Sequence, residues 1–146
     1  MKIVFGCDHG GLNLKQQLKE RLEREGYEVC DLGISTWEEI DYPDKAVEVA
    51  RYILDKKADC GILVCGTGIG MSIAANKVDG IRAAVCGDTF SARMAKEHND
   101  ANIITLGERT IGSELAYEIV KAYLNAEFLG DKHLVRVNKI MAIDNK

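Results

Sequence analysis

Six consecutive residues, Cys65-Gly66-Thr67-Gly68-Ile69-Gly70, bring together a thiol, a hydroxyl and three alternating glycines. Glycines let backbone come close to a ligand. A turn of successive N–H groups between a buried strand and a helix suits a negatively charged group. A thiol at the mouth of such a turn can serve as base or nucleophile when a helix terminus or a cation favours its ionised form. Thr67 can offer its hydroxyl to a developing oxyanion beside the turn amides. The bland reading is a tight strand-to-helix connection with a core thiol. The stretch is not a Walker A loop, because no Gly-Lys-Ser/Thr closes it. Glycines 66, 68 and 70 also depart from Gly-x-Gly-x-x-Gly.

Other residues able to do chemistry are scattered. Asp8-His9 pairs two proton-moving side chains. Asp41 and Tyr42 end a segment of weak periodicity, just before the single proline, Pro43. Arg109 stands alone, His98-Asn99 forms a polar couple, and Lys132, His133 and Arg136 make a basic cluster. That cluster reads by default as a solvated helix face. If the segment carrying it crosses to a partner, it and Arg109 could hold a phosphate.

The elements that must position these groups alternate between strand and helix. Apolar runs at 2–7, 28–32, 61–64, 81–86 and 102–106 read as strands. Leu14, Leu18 and Leu22 recur at helical spacing over about 12–25, and Gly26 ends that helix. Further helices are expected at about 43–56, at 73–77, at about 89–97 and 112–126, and in an amphipathic tail carrying Leu134, Val137 and Met141. This order predicts one domain over 1–146: an α/β fold with a doubly wound, five-stranded parallel sheet, Rossmann-like or flavodoxin-like, helices on both faces. Ligands bind such sheets beyond the C-terminal strand ends. Asp8, His9, Asp41, Tyr42, Cys65 and Arg109 all follow strands. His98 and Asn99 precede one, so they belong to the opposite edge of their own chain. Either they are structural or they serve a neighbouring copy. The tail, which needs a surface to bury its apolar stripe, suggests the same two-fold dimer.

Composition narrows the classes. A chain of 146 residues, 47% hydrophobic and 29% charged, has an ordinary globular make-up. A formal net charge of -4 argues against a nucleic-acid partner. The five cysteines are odd in number and contain no Cys-x-x-Cys pair, which suggests neither disulfides nor zinc and points to a reducing, cytoplasmic setting. The apolar stretch Met1–Phe5 is too short for a signal peptide, and no run approaches the ~20 apolar residues of a membrane helix.

Taken in order, six segments resemble the type B ribose-5-phosphate isomerases, a family shared with galactose-6-phosphate and allose-6-phosphate isomerases. They are Gly6-Cys7-Asp8-His9-Gly10-Gly11, Asp41-Tyr42-Pro43-Asp44, Cys65 through Lys77, Gly80-Ile81-Arg82-Ala83, His98-Asn99-Asp100-Ala101-Asn102 and Gly107-Glu108-Arg109. The resemblance implies interconversion of ribose 5-phosphate and ribulose 5-phosphate through a cis-enediolate, without metal or organic cofactor. It implies a homodimer, or a tetramer built from it, with sites shared between chains. Carried over, Cys65 is the base, and Thr67 with the amides of Gly66, Gly68 and Gly70 holds the enediolate oxygen. His98 opens the furanose ring with Asn99 beside it, and Asp8 shuttles hydroxyl protons. Asp41 and Tyr42 line the sugar, and His9, Arg109, Lys132 and Arg136 hold phosphate. One departure stands out: the family's Gly-Gly-Arg-His is here Gly130-Asp131-Lys132-His133. Lysine keeps the charge but loses the planar fork of arginine. The rival expectations are a hexose-6-phosphate isomerase of the same family and a non-catalytic sugar-phosphate or nucleotide-binding module.

Overall fold

The computed structural model describes residues 1–145. Five parallel strands form one sheet: β1 (Lys2–Cys7), β2 (Glu28–Asp31), β3 (Cys60–Cys65), β4 (Ala83–Val85) and β5 (Ile103–Gly107). Their order is β2-β1-β3-β5-β4. The chain therefore winds one way from β1 and the other way from β3, and the switch point lies between the C-terminal ends of those two strands. The central strands β1, β3 and β5 are buried almost throughout, as expected for a sheet covered on both faces. The last two strands exchange the simple sequential order, so the short β4 is an edge.

Helices α1 (Leu12–Arg24), α4 (Thr89–Glu97) and α5 (Ser113–Leu124) cover one face. Leu14, Leu18 and Leu22 of α1 pack there with Ala92, Ala95, Ala116, Ile119 and Val120. Helices α2 (Tyr42–Leu54) and α3 (Ile69–Ala75) cover the other, burying Ala46, Val49, Ala50, Ile53, Met71 and Ala75 against β1 and β3. Pro43 sits in the first turn of α2, where its missing N–H removes no helical bond. The expected layers are therefore present. The last helix, α6 (Lys132–Met141), buries Val137 but leaves Leu134, Val135 and Ile140 exposed, with Ile143 beyond it.

Two boundaries differ from the sequence expectation. Helix α3 begins at Ile69 rather than near Ile73. Gly68 takes φ +80 and turns the chain so sharply that helix follows at once, with Gly70 inside it. Strand β4 spans three residues rather than the six of 81–86. Asparagine side chains take the backbone groups flanking it. Arg82 N–H donates to Asn102 Oδ1 at 2.8 Å, and Ala83 N–H donates to Asn76 Oδ1 at 2.7 Å. Asn76 Nδ2 in turn donates to the Ala83 carbonyl at 2.9 Å, so one amide occupies both outward-facing groups of that edge residue.

Among the described residues, no helix is long and apolar enough to cross a membrane, and no three His, Cys, Asp or Glu side chains gather as metal ligands. All five cysteines are unpaired.

Candidate active site

Cys65 is the last residue of β3, 5% exposed, at the level of Gly107 on β5. The chain turns back over it, and the Gly68 N–H donates to Cys65 Sγ at 3.1 Å. A sulfur that loses its proton there would meet a partial positive charge. Next along, Ile69 N–H donates to Thr67 Oγ1 at 3.2 Å, and Thr105 Oγ1 donates to the Gly68 carbonyl at 2.6 Å from within β5. The turn is thus fixed from below by a buried threonine. Of the amides from Gly66 to Gly70, those of Gly68 and Ile69 are already engaged by Cys65 and Thr67. The Gly68 amide therefore serves the sulfur rather than an oxyanion.

The other thiols have a different environment. Burial pushes Cys7 up to about 11, Cys60 to about 12 and Cys86 to about 11. None of these is a base or nucleophile at neutral pH.

Asp8 follows β1 directly beside this turn. Its amide reaches the Val64 carbonyl at 3.4 Å, and its carboxylate accepts from Gly10 N–H at 2.8 Å. Gly10 and Gly66 lie so close that a Cβ on Gly10 would stand 3.1 Å from the Gly66 nitrogen. Arg109 completes the floor. Its N–H donates to the Gly66 carbonyl at 3.0 Å, and a Cβ on Gly66 would meet its guanidinium at 3.2 Å. Tyr42 arrives from α2, its ring where a Cβ on Gly70 would be at 2.5 Å, so Gly70 lacks a side chain because the tyrosine takes that space. Asp41 is the exposed N-cap of the same helix. His9 sits in the 3₁₀ turn His9–Gly11. Its Nδ1 accepts from Ile40 N–H at 3.3 Å, and the edge of its ring meets Trp37 with centroids 5.8 Å apart.

Asp8, His9, Asp41, Tyr42, Cys65, Thr67, Gly66, Gly68, Gly70 and Arg109 therefore share the C-terminal edge of the sheet. His98, Asn99, Lys132 and Arg136 do not. His98 caps the end of α4, where the chain turns to enter β5 at its other end. From Ile103 to Gly107 the strand alone spans four residue steps, about 13 Å of sheet. The Arg82 guanidinium holds this second group in place, donating to the Asn99 carbonyl at 3.1 Å and to the Asp100 carbonyl at 2.7 Å. A cavity of about 400 Å³ opens there, on the far side from Cys65, lined by Arg82, Asn99, Ile140 and Ile143 among others.

His133, read from the sequence only as a member of a basic cluster, stacks on His98 with ring centroids 4.1 Å apart and planes 10° apart. Burial, then the nearby His98, Lys132 and Arg136 charges, hold its pKa below the ordinary imidazole 6.5. The turn that delivers it carries Asp131 at φ +50, in the position where the family pattern places glycine. Two further supports lie outside the sequence reading. Glu108 accepts the Leu14 N–H at 2.6 Å and so ties β5 to the start of α1. Lys15 is fully buried among leucines. The spacing of 15, 18 and 22 places it on the apolar face and could have revealed it.

Comparison with known proteins places the chain in a family and among structures of the same fold. The family described as Ribose/Galactose Isomerase matches residues 3–140. The chain is 47% identical over 145 residues to ribose-5-phosphate isomerase B of Escherichia coli, covering 99% of this chain and 97% of that protein. It is 48% identical over 141 residues to a D-erythrulose-4-phosphate isomerase of Pectobacterium atrosepticum, covering 96% and 93%. A solved structure of ribose-5-phosphate isomerase B from Clostridium thermocellum superposes with a TM-score of 0.97 at 53% identity, covering 99% and 97%.

Proposed function

This chain belongs to the ribose/galactose isomerase family and is an aldose–ketose isomerase of sugar phosphates, and on that premise we propose that it interconverts ribose 5-phosphate and ribulose 5-phosphate through a cis-enediolate with Cys65 as the base. The observation that carries the reading is the turn at the switch point: a buried thiol, a hydroxyl two residues on and the Asp8 carboxylate beside them. In the forward direction Cys65 takes the proton from C2 of the open-chain aldose. The electron pair moves into the C1–C2 bond, and the carbonyl oxygen at C1 becomes the enediolate oxygen. Thr67 and the turn amides left unengaged face that oxygen. Asp8 carries the hydroxyl proton between O2 and O1, and Cys65 returns its proton to C1, which leaves the ketone at C2. The isomerisation is redox-neutral overall, so no electron carrier is consumed.

Ring opening and part of the phosphate grip fall to the second group. His98 protonates the ring oxygen of the furanose, with Asn99 beside it. Arg109 and His9 from one chain and Lys132 and Arg136 from its partner hold the phosphate. The two groups occupy opposite edges of one chain, so a complete site needs two copies. The exposed Leu134, Val135, Ile140 and Ile143 of the tail and Ile69 and Ile73 of α3 support that pairing. The protein is one domain working as a homodimer in a reducing cytoplasm.

The similarity to the D-erythrulose-4-phosphate isomerase favours a second reading, a four-carbon substrate in the same site. The test is isomerisation measured on ribose 5-phosphate, D-erythrulose 4-phosphate, allose 6-phosphate and galactose 6-phosphate under one set of conditions. The highest kcat/KM is expected on ribose 5-phosphate. A higher value on any of the others overturns the substrate assignment, and turnover of none overturns the reading itself.

A further inference from the structure

Between β2 and α2 the chain makes a loop, residues 32–41, that ends in Asp41; Lys45 Nζ holds its Leu32 carbonyl at 2.7 Å, and two further pins follow. At its start, Asp31 Oδ1 accepts the Gly33 N–H at 2.8 Å, and the Ile34 carbonyl accepts from Lys15 Nζ at 2.9 Å. At its end, the Ile40 N–H donates to His9 Nδ1 and Trp37 rests against the His9 ring. Ser35 to Glu39, between the pins, are exposed.

Lys15 is the unusual member. It is 0% exposed, and lysine is almost never fully buried unless paired. Its partner is Asp31, at 2.7 Å. Neutralising Asp31 does not explain the burial, because Lys19 already stands 3.4 Å from the same carboxylate oxygen. What Lys15 adds is the hydrogen bond to Ile34, which fastens the loop to α1. The His9 contact sets the chemistry at the other pin. A ring nitrogen that accepts an N–H carries no proton, so His9 presents Nε2–H on the far side of its ring as a donor.

We propose that Lys15 is a positioning residue: its buried amine sets the 32–41 loop so that Ile40 keeps His9 an Nε2–H donor and Asp41 and Tyr42 line the sugar phosphate. The proposal rests on the isomerase reading for what the loop serves, but the position of the loop is measurable without substrate. Trp37 is the only tryptophan, so its fluorescence anisotropy reports this loop alone.

The experiment compares wild type with Lys15→Met and Lys15→Arg, well below their melting temperatures. Lys15→Met is expected to lower Trp37 anisotropy and to raise KM for ribose 5-phosphate about tenfold with little change in kcat, since contacts made equally in ground and transition states act on KM. Lys15→Arg, which can reach both acceptors, is expected to recover most of both. A folded Lys15→Met with unchanged anisotropy and unchanged KM overturns the proposal, as does a loss confined to kcat. If Lys15→Met does not fold, Lys15→Gln, neutral and one bond too short to reach both Asp31 and Ile34, carries the same two readings and the same refutation. A wild type inactive on ribose 5-phosphate would defeat the isomerase reading, while the anisotropy would still decide whether Lys15 holds the loop.

Discussion

Replacing Cys65 separates two roles that the structure gives to one sulfur. Its Sγ accepts the buried Gly68 N–H at 3.1 Å, and in the proposed mechanism it moves the carbon-bound proton. Cys65→Ala removes both. An unsatisfied buried N–H costs about 1–3 kcal/mol of stability. For a chain of this length that lowers Tm by roughly 3–10 °C. Loss of a positioned base lowers kcat by about 10²–10⁴, or about 3–5 kcal/mol at the barrier. Cys65→Ser keeps an acceptor for Gly68 but supplies a hydroxyl far too weakly acidic to ionise near neutrality. It should lose the same activity while recovering most of the stability. The assay is initial-rate formation of ribulose 5-phosphate, beside thermal unfolding and substrate binding for each variant. Binding should change little, because the phosphate is held elsewhere. Wild-type turnover in either folded variant refutes Cys65 as the base. Equal destabilisation in both refutes the hydrogen-bond argument.

Two more expectations follow from the far edge. If His98 serves the partner's Cys65, a one-to-one mixture of Cys65→Ala and His98→Ala chains, re-equilibrated to heterodimers, should regain about a quarter of wild-type activity, since half the dimers carry one intact site of two. No recovery in confirmed heterodimers would place both residues in one subunit's site. Asp131→Gly should raise stability by about 1 kcal/mol, because glycine accepts φ +50 without strain. It should also lower the His133 pKa further, because the Asp131 carboxylate raises it. His133 already titrates below 6.5, so the unfolded chain binds the proton more readily. Its contribution to stability is complete above 6.5 and is lost as pH falls through that value toward the folded pKa. Imidazole NMR against pH and unfolding at pH 7 measure both effects, and a His133 pKa raised by Asp131→Gly would contradict the assigned cause.

Much of this was legible in the chain because physical periods and punctuation were in agreement. Leu14, Leu18 and Leu22 announced α1, and the apolar runs announced β1, β3 and β5. The rule that ligands gather beyond C-terminal strand ends placed Cys65 with Asp8 and put His98 on the opposite edge. What escaped were long-range claims on the backbone. Asn102 takes the Arg82 N–H just before β4, a group that a pattern of apolar residues assigns to the strand, and Asn76 caps the outer edge of Ala83. Gly68 and Gly70 read as loop, yet one starts α3 and the other makes room for Tyr42. Lys15 lies on the apolar stripe with Leu18 and Leu22, but its acceptors, Asp31 and Ile34, come from elsewhere in the chain, so helical spacing does not name them. The His98–His133 stack depended on a turn whose geometry glycine and aspartate adopt at φ +69 and φ +50, which no local propensity predicts.

The amide of Asn76 also bears on how the sheet ends. A bare outer strand is a template on which another chain can add itself, copy after copy, without end. At Ala83 both hydrogen-bonding groups that would seed such growth are already occupied. On the β4 side the sheet therefore offers no free backbone pair at Ala83 for a further strand to register on. One side chain thus closes the edge at the residue where an added strand would begin to pair.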